Sequence, residues 1–168
     1  TQLTLNSVAY DTDIIVRNRA GLIRKVKIGE FIENNIKISR QQEYYEDKDT
    51  TYAEINEEDF YEIPSATEDG EITWNKIEAT TRHPVVNEDG TNTVLEVITE
   101  HGRDVIATKA KSFLQLREGK IVGVDGKDLK VGDYLPVSRK PIDFPEVFTM
   151  NLKDVFFPSF YTIFIFYN

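Results

Sequence analysis

Cysteine is absent from this sequence of 168 residues, and histidine occurs only twice, at His83 and His101. Without cysteine the chain can form no disulfide, no thiolate metal site and no cysteine nucleophile. Two histidines would need several carboxylates to complete a metal site, and no helical or hairpin spacing supplies them. We therefore expect no metal and no cofactor, and we expect any chemistry to depend on oxygen and nitrogen groups.

Basic residues are also few, because 20 Lys and Arg stand against 29 Asp and Glu, which gives a net charge of -9. Surfaces that bind nucleic acid or anionic membranes require clustered positive charge. No run of about 18 apolar residues is present, and the first residues lack the basic and apolar regions of a secretion signal. We expect a cytoplasmic monomer without a nucleic-acid or membrane partner.

The common catalytic motifs are missing as well, including a Gly-rich phosphate loop, a Gly-x-Ser-x-Gly elbow and a His-Glu-x-x-His helix. At 19.4 kDa the chain has the size of one domain. Short β-branched runs between Gly- and Asp-containing turns predict that this domain is β-rich. These runs are 13–16, 22–28, 93–100, 103–110, 112–116 and 120–124.

Turn residues refine this prediction. The stretch 86–108 predicts two consecutive hairpins, with turns at Asp89-Gly90 and His101-Gly102, and a third turn is expected at Asp125-Gly126. One short helix is predicted over Lys27–Asn34, ending before Asn35, and a single helical turn within 127–133.

Residues 43–71 are the one compositional outlier, with twelve acidic residues against a single base, Lys48. Like charges repel and stay hydrated, so this segment is expected to be a solvated loop or insertion. The alternative is a docking surface for a basic partner.

Three features could carry chemistry. Ser7 precedes an acidic turn and a β run, Thr108 and Lys111 form a Thr-x-x-Lys unit in GRDVIATKAKSFL, and Asn168 ends the sequence after an intensely apolar run. Each is ordinary by itself: a lone serine is usually solvated, and Thr-x-x-Lys occurs by chance in many strands. Their order and their places at both ends of a domain-sized chain are what favour a shared function.

Together these segments resemble the conserved blocks of the inteins, self-excising protein-splicing domains of the Hedgehog/intein fold. SVAYDTDIIVRN is similar to the first block, GRDVIATKAKSFLQL to the second, and KDLKVGDYLPV to a Leu-x-x-Gly-Asp segment. VFTMNLKDVFFPSFYTIFIFYN matches the closing blocks by position and by its final asparagine. The resemblance implies an all-β, horseshoe-shaped domain with one or two short helices, in which Ser7 and Asn168 lie close together.

The resemblance also implies how the chain is divided. Thr1–Asn6 would be the remnant of an N-terminal extein, and 7–168 the splicing domain. No long insertion separates Arg139 from Val147, so no homing endonuclease is expected, and the chain would be a mini-intein or the fused halves of a split one. TQLTLN followed by serine resembles an insertion point of family B DNA polymerases.

In such a domain Ser7 would attack the carbonyl of Asn6 and convert the Asn6-Ser7 amide into an ester. Thr108 would hydrogen-bond at the scissile amide, and Lys111 stands where the family usually has a proton-donating histidine. An ammonium with a pKa of about 10.4 is a poor acid at neutral pH. Three roles stay open: Lys111 is desolvated and donates the proton, Lys111 stabilises the oxyanion, or His83 has taken over the donation. A histidine beside a proline is also typical of a structural hydrogen bond.

At the other end, Asn168 would cyclise and release the spliced product after ester transfer to a downstream nucleophile. Tyr167 and Thr149 occupy positions where the family usually has a histidine and an aspartate. The partners would be the flanking exteins, or a complementary fragment if the chain is divided within 43–71 or 140–146. Two alternatives remain: an autoprocessing domain that only cleaves, and a non-catalytic, acidic β-rich binding module.

Overall fold

The computed structural model of the chain describes residues 7–67 and 69–136, which form eleven strands and one α-helix. The strands are β1 Asp13–Asn18, β2 Ile23–Lys27, β3 Gln42–Tyr45, β4 Thr50–Glu54, β5 Tyr61–Ala66, β6 Ile72–Lys76, β7 Ala79–Arg82, β8 Leu95–Ile98, β9 Asp104–Ala107, β10 Ser112–Arg117 and β11 Lys120–Asp125. The helix is α1 Ile28–Ile38, and short 3-10 turns lie at Glu46–Lys48, Glu57–Asp59 and Gly126–Asp128. The predicted β-rich class is confirmed.

The strands form four antiparallel sheets, with the orders β2-β1-β5-β6, β3-β4-β7, β8-β9 and β10-β11. Most neighbours in a sheet are also neighbours in sequence, so short turns join them. Two pairings, β1 with β5 and β4 with β7, join strands that are distant in sequence. The pairing of β4 with β7 matters for function, because β7 leads directly into His83.

Helix α1 is longer than predicted and passes through Asn35 to Ile38. Asn35 is only 4% exposed, and its amide donates to the carbonyl of Ala53 at 3.1 Å and to Oγ1 of Thr80 at 2.8 Å. A buried amide with such partners is satisfied. Asn35 therefore anchors the helix to β4 and β7 instead of ending it.

The expectation that the acidic segment 43–71 is a loop was wrong. It contains most of β3 and all of β4 and β5, and within β4 both Thr50 and Ala53 are 0% exposed. None of its eleven described acidic residues is buried, and eight are exposed. The acids thus occupy turns and strand positions that are not buried, while Thr50, Ala53 and Ile55 between them are buried.

Of the predicted turns, His101-Gly102 does join a hairpin, β8 with β9, and Gly102 has φ 77°. Asp89-Gly90 also lies in a turn, but no strand is present in residues 83–94, so the first hairpin was wrong. Gly126 begins a 3-10 turn at which an added Cβ would lie 2.8 Å from the Leu95 side chain and 3.2 Å from the Lys109 carbonyl oxygen. A side chain there would require these neighbours to shift, so close packing favours glycine.

No helix within residues 7–67 and 69–136 is long and apolar enough to cross a membrane.

Candidate active site

Ser7 is held beside the end of β9 by backbone hydrogen bonds. Val8 forms an isolated antiparallel bridge with Ala107, and the amide of Ala9 donates to the carbonyl of Ile106 at 2.8 Å. The amide of Thr108 donates to the carbonyl of Ser7 at 2.9 Å. Residues 7–9 therefore run along β9, and this register sets Ser7 opposite Thr108.

Thr108 binds Ser7 with its side chain as well. Thr108 is only 7% exposed, and its Oγ1 accepts the Ser7 N–H at 3.1 Å. The same hydroxyl lies 3.4 Å from the Ser7 carbonyl oxygen, to which it donates. The Ser7 nitrogen belongs to the predicted scissile peptide bond, so Thr108 contacts the atom that would leave in the first step.

His83 contacts the other reactive atom of Ser7. It follows the last residue of β7, and Pro84 cannot continue a ladder because it has no N–H. The half-buried imidazole places Nε2 in hydrogen-bond contact with Oγ of Ser7. Its second nitrogen, Nδ1, lies 2.8 Å from the carbonyl oxygen of Pro84. Because a carbonyl can only accept, this bond assigns a proton to Nδ1.

Lys111 lies one turn after Thr108, and its amide donates to the Thr108 carbonyl at 2.9 Å. The Lys111 carbonyl accepts the amide of Gly126 at 2.8 Å, which ties the turn to the start of the 3-10 segment. The side chain is half-buried, and this burial lowers the pKa of the Lys111 ammonium. Partial burial is what either role of Lys111, as proton donor or as oxyanion stabiliser, requires.

Three of the predicted site residues therefore meet at one place: Ser7, Thr108 and His83. Asn6, Thr149, Tyr167 and Asn168 lie outside the described residues. The sequence reasoning missed the carbonyl of Pro84, which binds the imidazole. A backbone group has no signature in the sequence, so only the three-dimensional arrangement identifies it.

The described parts of the chain contain no cluster of three or more His, Asp or Glu residues that could hold a metal ion. The arrangement consists of the Ser7 hydroxyl, the His83 imidazole and the Thr108 hydroxyl on the amide nitrogen, with Lys111 in the turn that follows Thr108. Such a set can activate an oxygen nucleophile and stabilise the attacked peptide bond without a cofactor.

Comparison with known proteins gives relatives among polymerases. No family model matches the chain. It is 27% identical over 142 residues to the DNA-directed RNA polymerase subunit Rpo1C of Methanocaldococcus jannaschii, covering 81% of this chain and 15% of that protein. It is 33% identical over 91 residues to the DNA polymerase II large subunit of Halobacterium salinarum, covering 54% of this chain and 6% of that protein. The chain thus spans a small part of the curated relatives it matches.

Among solved structures, the chain is similar to the transcription factor IIB Mvu mini-intein, with a TM-score of 0.68 and 24% sequence identity. The superposition covers 82% of this chain and 71% of that mini-intein. The antiparallel sheets with one helix are therefore the Hedgehog/intein fold. Within that class the chain is similar to inteins, and the resemblance predicted from its sequence blocks is confirmed.

Proposed function

We propose that residues 7–168 form an intein that removes itself from a host protein and joins the flanking exteins, with Ser7 as the first nucleophile. The observation that carries this proposal is the environment of Ser7. Its hydroxyl contacts the imidazole of His83, and its amide is bound by Thr108. An acyl shift involves two atoms of Ser7, the hydroxyl oxygen and the amide nitrogen, and each of them has a partner side chain.

In the first step Oγ of Ser7 attacks the carbonyl carbon of Asn6. The C–O bond forms, the C–N bond to Ser7 breaks, and the hydroxyl proton is lost while the amine gains one. Thr108 supports this step because its buried hydroxyl fixes the leaving nitrogen at 3.1 Å. Fixed geometry makes both acyl transfers intramolecular, which removes much of the entropic part of the barrier.

Lys111 would stabilise the negative charge that develops on the attacked carbonyl oxygen in this step. Burial lowers the pKa of its ammonium and removes water that would otherwise screen it. A partly desolvated cation stabilises a developing oxyanion more strongly than an exposed one. The same burial makes the ammonium a better acid, so proton donation to the leaving amine is the second role open to Lys111.

The later steps are proposed from the sequence alone. Asn168 would cyclise through its side-chain amide and cleave the bond to a C-terminal extein. Tyr167 and Thr149 occupy the positions from which inteins usually assist that step, so they are the groups to test first. The exteins would be the N-terminal remnant Thr1–Asn6 and a segment whose nucleophile follows Asn168, in a DNA polymerase or related host.

The domain would act as a mini-intein without an endonuclease, as a monomer without a nucleic-acid partner. It would also reassemble from two complementary pieces if the break spares the strands. The structure now argues against most of 43–71 as a break point, because Thr50 and Ala53 within it are fully buried. The exposed turn at Asp69-Gly70 is a better place.

The test is a precursor with a folded protein before Thr1 and another after Asn168, followed by intact mass over time. Splicing predicts a ligated product of the two outer proteins that disappears in Ser7→Ala and in Asn168→Ala. His101→Ala is the control, because His101 lies in the exposed hairpin turn away from Ser7. Cleavage without ligation would support the domain that only cleaves, and an unchanged precursor would leave a binding module.

A further inference from the structure

We propose that His83 is the general base of the first step, and that the Pro84 carbonyl holds its imidazole in the tautomer that this role requires. The proposal rests on the splicing function above and assigns the direction of one proton transfer within it. It replaces the expectation that His83, if it acts at all, serves only as a proton donor to the leaving nitrogen.

His83 contacts the hydroxyl of Ser7. Nε2 lies against Oγ of Ser7, the attacking oxygen, whereas the Ser7 nitrogen donates its proton to Oγ1 of Thr108. A group that acts only as a proton donor to the leaving group should face the nitrogen, and a base should face the hydroxyl. The two reactive atoms of Ser7 thus have different partners, and the imidazole is the partner of the nucleophile.

The second ring nitrogen of His83 sets the tautomer of the imidazole. Nδ1 lies 2.8 Å from the Pro84 carbonyl oxygen, which has no proton to give, so Nδ1 must carry one. In the neutral ring Nε2 then presents its lone pair to the Ser7 hydroxyl. The carbonyl also stabilises the imidazolium that forms when the hydroxyl proton arrives, in the way that an acceptor on Nδ1 does in other serine nucleophiles.

The atoms balance without another reactant. The Oγ–H proton moves to Nε2 as Oγ bonds to the Asn6 carbonyl carbon, which produces a tetrahedral alkoxide and an imidazolium. The alkoxide collapses as the C–N bond breaks, and the imidazolium returns the proton to the Ser7 nitrogen. Oγ and N belong to one residue and are separated by three bonds, so a single imidazole can serve both. The role left for Lys111 is then to stabilise the alkoxide oxygen of the tetrahedral intermediate.

Exchanging the nucleophile distinguishes a base from an acid. A thiol has a pKa of about 8.5 and ionises without help, whereas a serine hydroxyl needs its proton removed. A base at position 83 should therefore matter much less to Ser7→Cys than to the parent. A group that acts only as an acid on the leaving nitrogen should matter equally to both, because that nitrogen is unchanged.

The experiment measures the rate of hydroxylamine cleavage at Asn6-Ser7 at a pH of about 8.5, in full precursors that carry Asn168→Ala to stop later steps. Four chains form a double-mutant cycle: the parent, His83→Ala, Ser7→Cys, and both changes together. We expect His83→Ala to slow the parent about 100-fold or more, and to slow Ser7→Cys less than about 10-fold, since general bases contribute on the order of 10²-fold or more.

Equal losses in the serine and cysteine chains would overturn the base role while leaving splicing intact. Absence of cleavage in both the parent and Ser7→Cys would overturn the proposed function itself, and this inference with it. His83→Gln guards against misfolding, because its amide can still donate to the Pro84 carbonyl but cannot take up a proton. It should show the thermal midpoint of the parent and the rate of His83→Ala. His101→Ala should leave the rate unchanged.

Discussion

Nε2 of His83 contacts Oγ of Ser7 although 76 residues separate the two in sequence. The contact depends on two pairings that are made independently. β7 pairs with β4 and ends immediately before His83, while residues 7–9 follow β9. Since neither pairing involves the reacting side chains, the scaffold can hold the hydroxyl and the imidazole together before any reaction begins.

Thr108→Val should slow the acyl shift about 100-fold, the loss expected when one preorganised hydrogen-bonding group is removed from a reacting centre. Valine keeps the shape of threonine but cannot accept the Ser7 N–H that Oγ1 now accepts at 3.1 Å. The measurement is the rate of hydroxylamine cleavage in the Asn168→Ala precursor. Thr108→Ser keeps the hydroxyl and should retain most of the rate, and equal losses in both variants would contradict a role for the hydroxyl.

Lys111 should make stability depend on pH. In the folded chain burial lowers the pKa of the Lys111 ammonium below its ordinary value of 10.5. The unfolded chain keeps that ordinary value. Between the two values the unfolded chain binds more protons, so the free energy of unfolding rises as the pH rises toward 10.5. Below the folded pKa the cost of burying the charge is fully present.

Lys111→Met removes this titration, so its free energy of unfolding should rise less than that of the parent across this range. Urea denaturation from neutral pH to about 10.5 measures the difference. Lys120→Met changes an exposed lysine at the start of β11 and is the matched control. Parallel pH profiles for the parent and Lys111→Met would contradict the burial of this ammonium.

Gly29→Ala should destabilise the fold by about 1–3 kcal/mol, the usual cost of overpacking. A Cβ at this position would lie 2.1 Å from the Tyr10 ring, and the Gly29 amide donates to the Tyr10 carbonyl at 2.9 Å. Because Tyr10 lies three residues after Ser7, the acyl shift should slow as well. Thermal unfolding and the cleavage rate test both effects, with Gly123→Ala as a control in β11, where a Cβ meets no atom within 4 Å and φ is not positive. Equal effects of the two changes would contradict the Tyr10 contact as the cause.

The sequence predicted the β-rich fold, and the local signals show why. Strands β1 and β2, and the hairpin at His101-Gly102, depend on alternation and turn residues that are close in sequence. The acidic segment was mistaken for a loop because a count of charges ignores which face each residue occupies. Asn35 was mistaken for a helix end because its partners, Ala53 and Thr80, come from other elements.

In the candidate site, too, local sequence signals could be predicted and contacts between distant elements could not. Ser7, Thr108 and Lys111 were found by their order and spacing, and His83 was found by its chemical type. The contact between His83 and the Ser7 hydroxyl could not be predicted, because it depends on the pairing of β7 with β4, which are distant in sequence. The carbonyl of Pro84 has no residue-type signal at all.

Division of the chain at Asp69-Gly70 should give two pieces that restore splicing when mixed, since this turn is exposed and lies between β5 and β6. Division at Thr51-Tyr52 should give at least about tenfold less product, because it cuts β4 between two hydrogen-bonded neighbours and beside buried Thr50. Ligated product after mixing purified pieces is the measurement. Equal yields from both divisions would contradict the importance of the β3-β4-β7 sheet.

The most direct test of the account is to locate the ester that Ser7 would form. An Asn168→Ala precursor is treated with hydroxylamine, and the masses of both products are measured. The account predicts cleavage between Asn6 and Ser7, with a hydroxamate on Asn6, and no cleavage in Ser7→Ala. An intact parent precursor, or cleavage that persists in Ser7→Ala, would contradict the claim that the Ser7 hydroxyl, held by His83 and Thr108, attacks the preceding peptide bond.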